Sequence, residues 1–117
     1  MRVAWFDAEE WEKDFLEDRA SGMEIEFFEE PLSKENVDKT SDFDAVTVFV
    51  SSNLGSEVVE ELQADYIACR STGYDHVAVE KASEEGITVF NVPSYGGTTV
   101  AEHAFGLILS ISRKIYE

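Results

Sequence analysis

The sequence has 117 residues, of which 44% are hydrophobic and 12% aromatic. A chain of this size and composition can bury a hydrophobic core as one domain, so a disordered acidic tail is excluded. The 25 acidic and 9 basic residues give a formal net charge of -16. This charge excludes nucleic acid and anionic membranes as partners, because both attract clustered Lys and Arg.

The acidic composition has two explanations that the sequence leaves open. In a protein adapted to high salt, dense carboxylates hold water while ions screen their mutual repulsion. An ordinary acidic protein has the same composition without that adaptation. The halophilic explanation predicts a stability that rises with salt concentration.

The N-terminus and the single cysteine indicate the compartment. The apolar start from Met1 to Phe6 turns acidic at Asp7, so it is too short for a signal peptide or a membrane span. Cys69 lies in an apolar run and has no partner cysteine, which is typical of a protein in the reducing cytoplasm. We predict a cytoplasmic protein in which Cys69 is a buried structural thiol.

Five short apolar segments alternate with polar segments that are compatible with helices, a pattern typical of a parallel sheet. The predicted strands run from Arg2 to Phe6, Met23 to Phe28, Ala45 to Val50, Tyr66 to Ser71 and Ile87 to Val92. The third and fourth are almost continuously apolar, which predicts central strands covered by helices on both faces. The second alternates, which predicts an edge strand. We predict an α/β domain with five parallel strands in the order 2-1-3-4-5.

Three helices are predicted between these strands, from Glu9 to Arg19, Ser56 to Leu62 and His76 to Glu85. In the first, Trp11, Phe15 and Leu16 fall on one face and are expected to pack against the core. The polar stretch from 31 to 44 predicts a short helix or an irregular connection.

A longer helix is predicted at the C-terminus, where Thr99 to Glu102 has the spacing of a capping box. Its apolar residues are Val100, Ala101, Ala104, Phe105, Leu107, Ile108, Leu109, Ile111 and Ile115. They cover more of the helix than one sheet can bury. We therefore divide the chain into a domain of residues 1–98 and an interface helix of residues 99–117. That helix is expected to contact a second subunit or a further domain.

Three known kinds of site do not fit the carboxyl ends of the strands, where open α/β sheets bind ligands. An FMN site needs a phosphate loop after the first strand, where the acidic residues from Asp7 to Glu9 would repel phosphate. A phosphoacceptor receiver domain needs an Asp after the third strand and a Lys after the fifth, where Ser51-Ser52 and Val92-Pro93 stand. A dinucleotide site needs a Gly-x-Gly-x-x-Gly turn, whereas Gly96-Gly97 is an isolated pair.

The two histidines do not form a metal site by their spacing. His76 and His103 are far apart in sequence, and neither has a Cys or a second His at helical spacing. We interpret both as helix-surface or interface residues and not as catalysts.

Three blocks in the second half of the chain carry a family resemblance. They read RSTGYDH at residues 70–76, GITVFNVPSY at residues 86–95 and TVAEHA at residues 99–104. In this order and spacing they resemble the D-isomer-specific 2-hydroxyacid dehydrogenases, most closely the D-lactate dehydrogenase branch. The first part of the chain agrees in strand order but carries no such motif.

The resemblance implies a flavodoxin-like three-layer substrate-binding domain that forms one wall of an active-site cleft. In the intact enzyme a Rossmann domain that binds NAD would follow. The resemblance places Thr72 and Gly73 where backbone N–H groups hold the carboxylate of a 2-oxo acid such as pyruvate. It places Tyr95 in the cleft wall. Leu54 falls near a contact with the substrate side chain, at a position where the family often has an aromatic residue.

The resemblance also implies that the catalytic Arg, Glu and His, and the glycine-rich nucleotide turn, lie beyond Glu117. Neither Arg70 nor Arg113 replaces them. We therefore predict no catalytic, cofactor-binding or metal-binding residue in this chain and no turnover by the chain alone.

Two other functions stay open from the sequence. A free-standing α/β module could dimerise through the apolar last helix without any catalysis. A non-catalytic relative of the dehydrogenases, such as a transcriptional co-repressor, would share the fold, although neither the acidic surface nor the motifs give it positive support.

Overall fold

The five strands form one parallel sheet in the computed structural model, which describes residues 1–115. They are β1 (Arg2–Trp5), β2 (Glu24–Phe27), β3 (Ala45–Val48), β4 (Tyr66–Cys69) and β5 (Thr88–Phe90). Their order is β2-β1-β3-β4-β5, and every neighbouring pair is parallel. The predicted fold class and strand order are confirmed. Each strand ends before its apolar run does, and β2 and β5 also begin one residue later than predicted.

Burial along the strands follows their place in the sheet. All four residues of the central strand β3 are buried. The edge strand β2 alternates between exposed and half-buried residues, which confirms the edge position predicted from its alternating sequence. An edge strand has one neighbour, so its alternate side chains meet solvent.

Within residues 1–115, four α-helices and one 3-10 helix connect or follow the strands. The α-helices are α1 (Glu10–Glu17), α2 (Ser56–Glu61), α3 (Val79–Glu84) and α4 (Gly97–Arg113), and the 3-10 helix covers Val37–Thr40. The 3-10 helix is the short helix predicted between 31 and 44. Residues 116 and 117, the end of the predicted interface helix, lie outside the described residues.

A capping box lies at the start of α1. The side chain of Glu9 accepts a bond from the backbone of Glu12, and the Glu12 carboxylate accepts one from the Glu9 N–H at 2.9 Å. The capping box predicted from Thr99 to Glu102 is wrong. Helix α4 begins two residues earlier, at Gly97, with no side-chain cap on Gly96.

The hydrophobic core lies on one face of the sheet. Its members include Ala4, Phe6, Val46, Val48, Leu54, Val58, Val59, Leu62, Ile67, Cys69, Ala82 and Ile87. These side chains come from alternate positions of β1, β3 and β4 and from α2 and α3, and they pack against one another. Cys69 is buried without a disulfide, as predicted, and its burial raises the pKa of the thiol.

The other face of the sheet is open over β4 and β5. Its side chains line a concavity of about 850 Å³, and Tyr66 is 41% exposed and Phe90 53% exposed. Helix α1 lies on this side at the β1 end, where Trp5 Nε1 donates to Glu12 Oε2 at 3.2 Å. The predicted helical cover on both faces is therefore wrong for β4, because no helix within residues 1–115 packs over this part of the sheet.

The expected core stripe of α1 is also wrong. Trp11 is 63% exposed and Phe15 is 52% exposed, and Leu16 is half-buried. Helical periodicity placed these residues on one face correctly, and all three line the same concavity. In the part of the chain that the structure describes, no other helix packs against this face.

Helix α4 projects from the domain, and none of its side chains is buried. Val100, Phe105, Ile108 and Ile111 are each at least 59% exposed. The long apolar C-terminal helix is as predicted. No helix in the described part of the chain is long and apolar enough to cross a membrane.

Most ion pairs of the described residues lie on the surface of the domain. Lys81, for example, lies within 2.8 Å of both Glu60 and Glu85, and these carboxylates raise its pKa. Nine basic residues cannot neutralise 25 acidic ones, so most carboxylates repel one another across the surface.

This repulsion predicts a salt-dependent stability. Raising KCl from about 0.1 M to about 2 M shortens the screening length to a few ångströms and should raise the thermal midpoint of unfolding by about 5 °C or more. Differential scanning calorimetry of the chain at several KCl concentrations measures this shift. A midpoint that does not respond to KCl would refute the halophilic explanation.

Candidate functional site

The strand order reverses between β1 and β3, and above this point open α/β sheets form a ligand crevice. Asp7 lies at this point, just after the end of β1. It adopts φ 54°, a left-handed conformation uncommon for a residue with a side chain. Its carboxylate accepts bonds from the Phe49 N–H at 2.9 Å and from the hydroxyls of Ser52, at 2.6 Å, and Ser51. Asp7 thereby fixes the chain after β3 against the end of β1.

A second network surrounds Arg70 at the end of β4. Its Nε lies 3.1 Å from Glu12 Oε1, and its terminal nitrogens donate to the carbonyls of Phe6 at 2.9 Å and Asp7 at 3.0 Å. The guanidinium also stacks on Trp5, 4.5 Å from the ring centroid. Burial lowers the pKa of Arg70, while the carboxylates of Glu12 and Asp7 oppose that shift. These contacts make Arg70 a structural residue that ties α1 and β1 to β4.

An aromatic concavity of about 510 Å³ lies between these networks and α1. Its aromatic side chains are Trp5, Trp11, Phe15, Phe49 and Tyr95, and its charged ones are Asp7, Glu9, Glu12 and Arg70. Phe49 is 41% exposed and Tyr95 is 69% exposed. The structure therefore brings Tyr95, predicted to line a cleft, beside Phe49 in one concave surface.

The loop after β4 offers backbone donors to an anion. Thr72 and Gly73 are both exposed, and within residues 1–115 neither backbone N–H donates a hydrogen bond. The Ser71 hydroxyl donates to the Gly73 carbonyl at 2.7 Å and so fixes the loop. Unpaired N–H groups held in a fixed loop favour a negatively charged ligand.

The loop after β5 is fastened to the loop after β4. Asn91 Nδ2 donates to the Thr72 carbonyl at 2.9 Å, and the Val92 N–H donates to the Ser71 carbonyl at 3.0 Å. These bonds hold the chain segment that leads to Tyr95 beside the exposed amides of Thr72 and Gly73. Thr72, Gly73 and Tyr95 thus lie on two coupled loops at the same edge of the sheet.

Leu54 lies elsewhere. Its side chain is fully buried in the hydrophobic core, and its backbone forms an isolated parallel bridge with Val77. A buried side chain presents no surface to a ligand. Phe49 and Val50 are the exposed apolar residues directly after β3, and of these two only Phe49 lines the aromatic concavity; the sequence reasoning did not name it. The signal available in the sequence was the family's aromatic preference, which Phe49 satisfies and Leu54 does not.

Neither histidine takes part in these networks. Both ring nitrogens of His76 are buried and have no hydrogen-bond partner within residues 1–115. His103 is exposed on α4. Among the same described residues, no three His, Cys, Asp or Glu side chains are grouped as metal ligands.

The fold and this edge of the sheet define a class: a flavodoxin-like α/β domain with exposed, unpaired amides and an aromatic concavity at the carboxyl ends of its strands. Residues 3–114 match the model of the D-isomer specific 2-hydroxyacid dehydrogenase family, catalytic domain. The chain therefore belongs to the D-isomer specific 2-hydroxyacid dehydrogenase family.

Individual relatives agree with this assignment. The chain is 32% identical to D-lactate dehydrogenase of Escherichia coli over 99% of its own length and 37% of the relative. It is 34% identical to a 2-hydroxyacid dehydrogenase homolog of Zymomonas mobilis over 98% of its length and 36% of the relative. The chain thus spans little more than a third of these relatives.

Solved structures of D-lactate dehydrogenases also match this chain over about a third of their own length. The apo-structure of D-lactate dehydrogenase from Escherichia coli superposes with a TM-score of 0.80 at 32% identity, covering 99% of this chain and 38% of that one. D-Lactate dehydrogenase from Aquifex aeolicus, complexed with NAD and lactic acid, superposes with a TM-score of 0.83 at 25% identity, covering 92% of this chain and 33% of that one.

Proposed function

We propose that this chain is the substrate-binding part of an NAD-dependent D-2-hydroxyacid dehydrogenase, which in its intact form reduces a 2-oxo acid such as pyruvate. The observation that carries the proposal is the pair of unpaired, exposed N–H groups at Thr72 and Gly73. They lie on a loop coupled to the one that carries Tyr95. The sequence similarity to D-lactate dehydrogenases supports the same choice.

The loop after β4 would bind the carboxylate shared by all 2-oxo acids. Gly73 has no side chain to block the approach of that carboxylate to the backbone. A Cβ built there would meet Asp75 Oδ1 at 3.4 Å, an ordinary contact, so the glycine is not required by packing. A glycine here leaves the backbone open to the close approach of an anion.

The aromatic concavity would set the size of the accepted side chain. Phe49 and Tyr95 both border it, and Asp7 fixes the backbone of Phe49 at 2.9 Å. A bulky ring held by a fixed backbone limits the space beside the 2-oxo group. We therefore assign Phe49, in place of Leu54, as the residue that contacts the substrate side chain, together with Tyr95.

NAD would be held by another part of the intact enzyme, where it would supply the hydride. The 117 residues of this chain contain no Gly-x-Gly-x-x-Gly turn for the pyrophosphate. The chain alone is expected to bind 2-oxo acids weakly and to oxidise no NADH.

A chimera tests the proposal. Residues 1–117 are joined to the part of the Escherichia coli D-lactate dehydrogenase that follows the matched region. We expect NADH oxidation with pyruvate by the chimera and none by the chain alone. A chimera that folds and binds NADH, measured by fluorescence, but turns over neither pyruvate, 2-oxobutyrate nor phenylpyruvate would refute the proposal.

The chimera also tests the assignment of Phe49. In Phe49→Ala, the ratio of kcat/KM for phenylpyruvate to that for pyruvate should rise about tenfold or more, because a missing ring leaves room for the larger substrate. Val50 is the matched control, since it is 54% exposed and does not line the concavity. An unchanged ratio in Phe49→Ala, or an equal rise in Val50→Ala, would contradict the assignment.

A further inference from the structure

Phe49 is the first residue of a tight turn that follows β3. The Ser52 N–H donates to the Phe49 carbonyl at 3.2 Å, which closes a four-residue turn over residues 49–52. Phe49 lines the aromatic concavity and Val50 does not. The position of this turn therefore decides where the Phe49 ring lies in the concavity.

One carboxylate, that of Asp7, binds three of the four residues of this turn. Its Oδ2 accepts bonds from the Phe49 N–H at 2.9 Å and from the Ser52 hydroxyl at 2.6 Å, and its Oδ1 accepts one from the Ser51 hydroxyl. The Ser52 side chain is buried, and its oxygen accepts a bond from the Leu32 N–H at 2.8 Å. The turn is thus joined to the segments after β1 and β2 through a short chain of hydrogen bonds.

The backbone of Asp7 is fixed independently of its side chain. Its N–H donates to the Glu30 carbonyl at 3.1 Å, and Arg70 Nη2 donates to the Asp7 carbonyl at 3.0 Å. These bonds hold φ at 54°, a conformation that costs energy for a residue with a side chain and persists only where its surroundings impose it. The strained residue is also the one whose carboxylate binds the turn, and such strain is concentrated at functional sites.

The pairing of β1 with β3 does not depend on this carboxylate. The two strands pair directly from Val3 to Trp5, and the Phe6 N–H continues the pairing to the Thr47 carbonyl at 3.0 Å. The three bonds of the Asp7 carboxylate go instead to residues beyond the end of β3. Its contribution is therefore local to the turn that carries Phe49.

We propose that Asp7 is a positioning residue that sets substrate preference through Phe49, because its carboxylate holds the turn, and with it the ring, at the concavity. This inference rests on the proposed function, since the preference concerns 2-oxo acids. Without the carboxylate, the Phe49 N–H and two hydroxyls lose their shared acceptor. The ring then moves more freely, and a larger side chain of a 2-oxo acid can enter.

Asp7→Gly in the chimera tests the proposal, since glycine adopts a positive φ without strain. The ratio of kcat/KM for phenylpyruvate to that for pyruvate should rise about threefold or more. Asp7→Asn keeps an oxygen acceptor for the Phe49 N–H and tolerates a positive φ, so its ratio should stay within about twofold of the wild type. In the Phe49→Ala background, Asp7→Gly should leave the ratio unchanged, because no ring remains to be positioned. An equal rise in both backgrounds would overturn the proposal.

Asp44→Gly is the matched control. The Asp44 carboxylate also accepts a backbone N–H across β1 and β3, from Arg2 at 2.6 Å, but it does so at the opposite end of these strands. This variant should leave the substrate ratio unchanged. A rise as large as that of Asp7→Gly would mean that general loosening of the sheet, and not the turn, changes the preference.

Amide hydrogen exchange, measured by NMR on the chain itself, tests the contact without any substrate. In Asp7→Gly the Phe49 N–H should exchange at least about tenfold faster. The Arg70 N–H, bound to the Val48 carbonyl at 2.9 Å, should exchange as in the wild type, which verifies that the sheet is intact. Unchanged exchange at Phe49 would overturn the proposal.

The two measurements also separate this proposal from the proposed function. If the wild-type chimera turns over pyruvate but Asp7→Gly leaves its substrate ratio unchanged, the role of Asp7 is refuted and the proposed function stands. If the wild-type chimera binds NADH but turns over no 2-oxo acid, the proposed function is refuted, and the role of Asp7 in substrate preference with it.

Discussion

Replacing Arg70 with alanine should lower the free energy of unfolding by about 3–5 kcal/mol. The side chains of Arg70 and Glu12 are only 16% and 11% exposed. The substitution leaves the Glu12 carboxylate and two backbone carbonyls without their cationic partner in a region that water reaches poorly. It also removes the cation from the face of Trp5. Because folded domains have total stabilities of about 5–15 kcal/mol, this loss would leave the domain close to unfolding.

Urea denaturation of the wild type and Arg70→Ala measures the difference. Glu57→Gln is the matched control, because it removes the ion pair with Lys34 in which the side chains are 73% and 57% exposed. Exposed pairs contribute little, so the control should leave the urea midpoint unchanged. Equal effects of the two substitutions would mean that the Arg70 network does not join α1 and β1 to β4.

Replacing Leu54 with alanine should lower the free energy of unfolding by about 2–5 kcal/mol. Leu54 is fully buried among core side chains, so its truncation removes apolar contacts and leaves a cavity. Phe49→Ala is the control, because Phe49 is 41% exposed and its ring lines an open concavity. Phe49→Ala, although it removes more atoms, should therefore lower the free energy of unfolding less than Leu54→Ala does.

The same pair of variants separates a core residue from a site residue. In the chimera, Phe49→Ala should change substrate preference while Leu54→Ala changes stability alone. A Leu54→Ala chain as stable as the wild type would contradict the core assignment. A shift of substrate preference in Leu54→Ala, at wild-type stability, would return Leu54 to the substrate site.

The edge position of β2 and the central position of β3 followed from local patterns. The almost continuously apolar run at Ala45–Val48 and the alternation at Glu24–Phe27 each reflect the number of neighbours that a strand has. Burial of Cys69 followed from the same patterns. These properties depend on which residue types are adjacent in the chain, so periodicity is sufficient to predict them.

The site was predicted only in part. The two amides of Thr72 and Gly73 are adjacent in the sequence, and a single local turn determines that they are exposed. A short motif was therefore sufficient to predict them. Choosing between Phe49 and Leu54 required knowing where β3 leaves the sheet. Leu54 is buried because its backbone pairs with Val77, more than twenty residues away. Asp7 acquires its role from Phe49, Ser51 and Ser52, at least 42 residues along the chain.

The amino-acid sequence by itself determined the parallel sheet, its strand order, the apolar last helix and membership of the dehydrogenase family, because each depends on periodicity or on short contiguous motifs. Only the tertiary structure decided which faces are covered. Trp11 and Phe15 share one side of α1 whether or not another segment packs against that side. The hydrophobic effect buries such a side only when a segment distant in sequence packs there. The open sheet face, the exposed α4 and the Arg70 network are properties of that long-range packing.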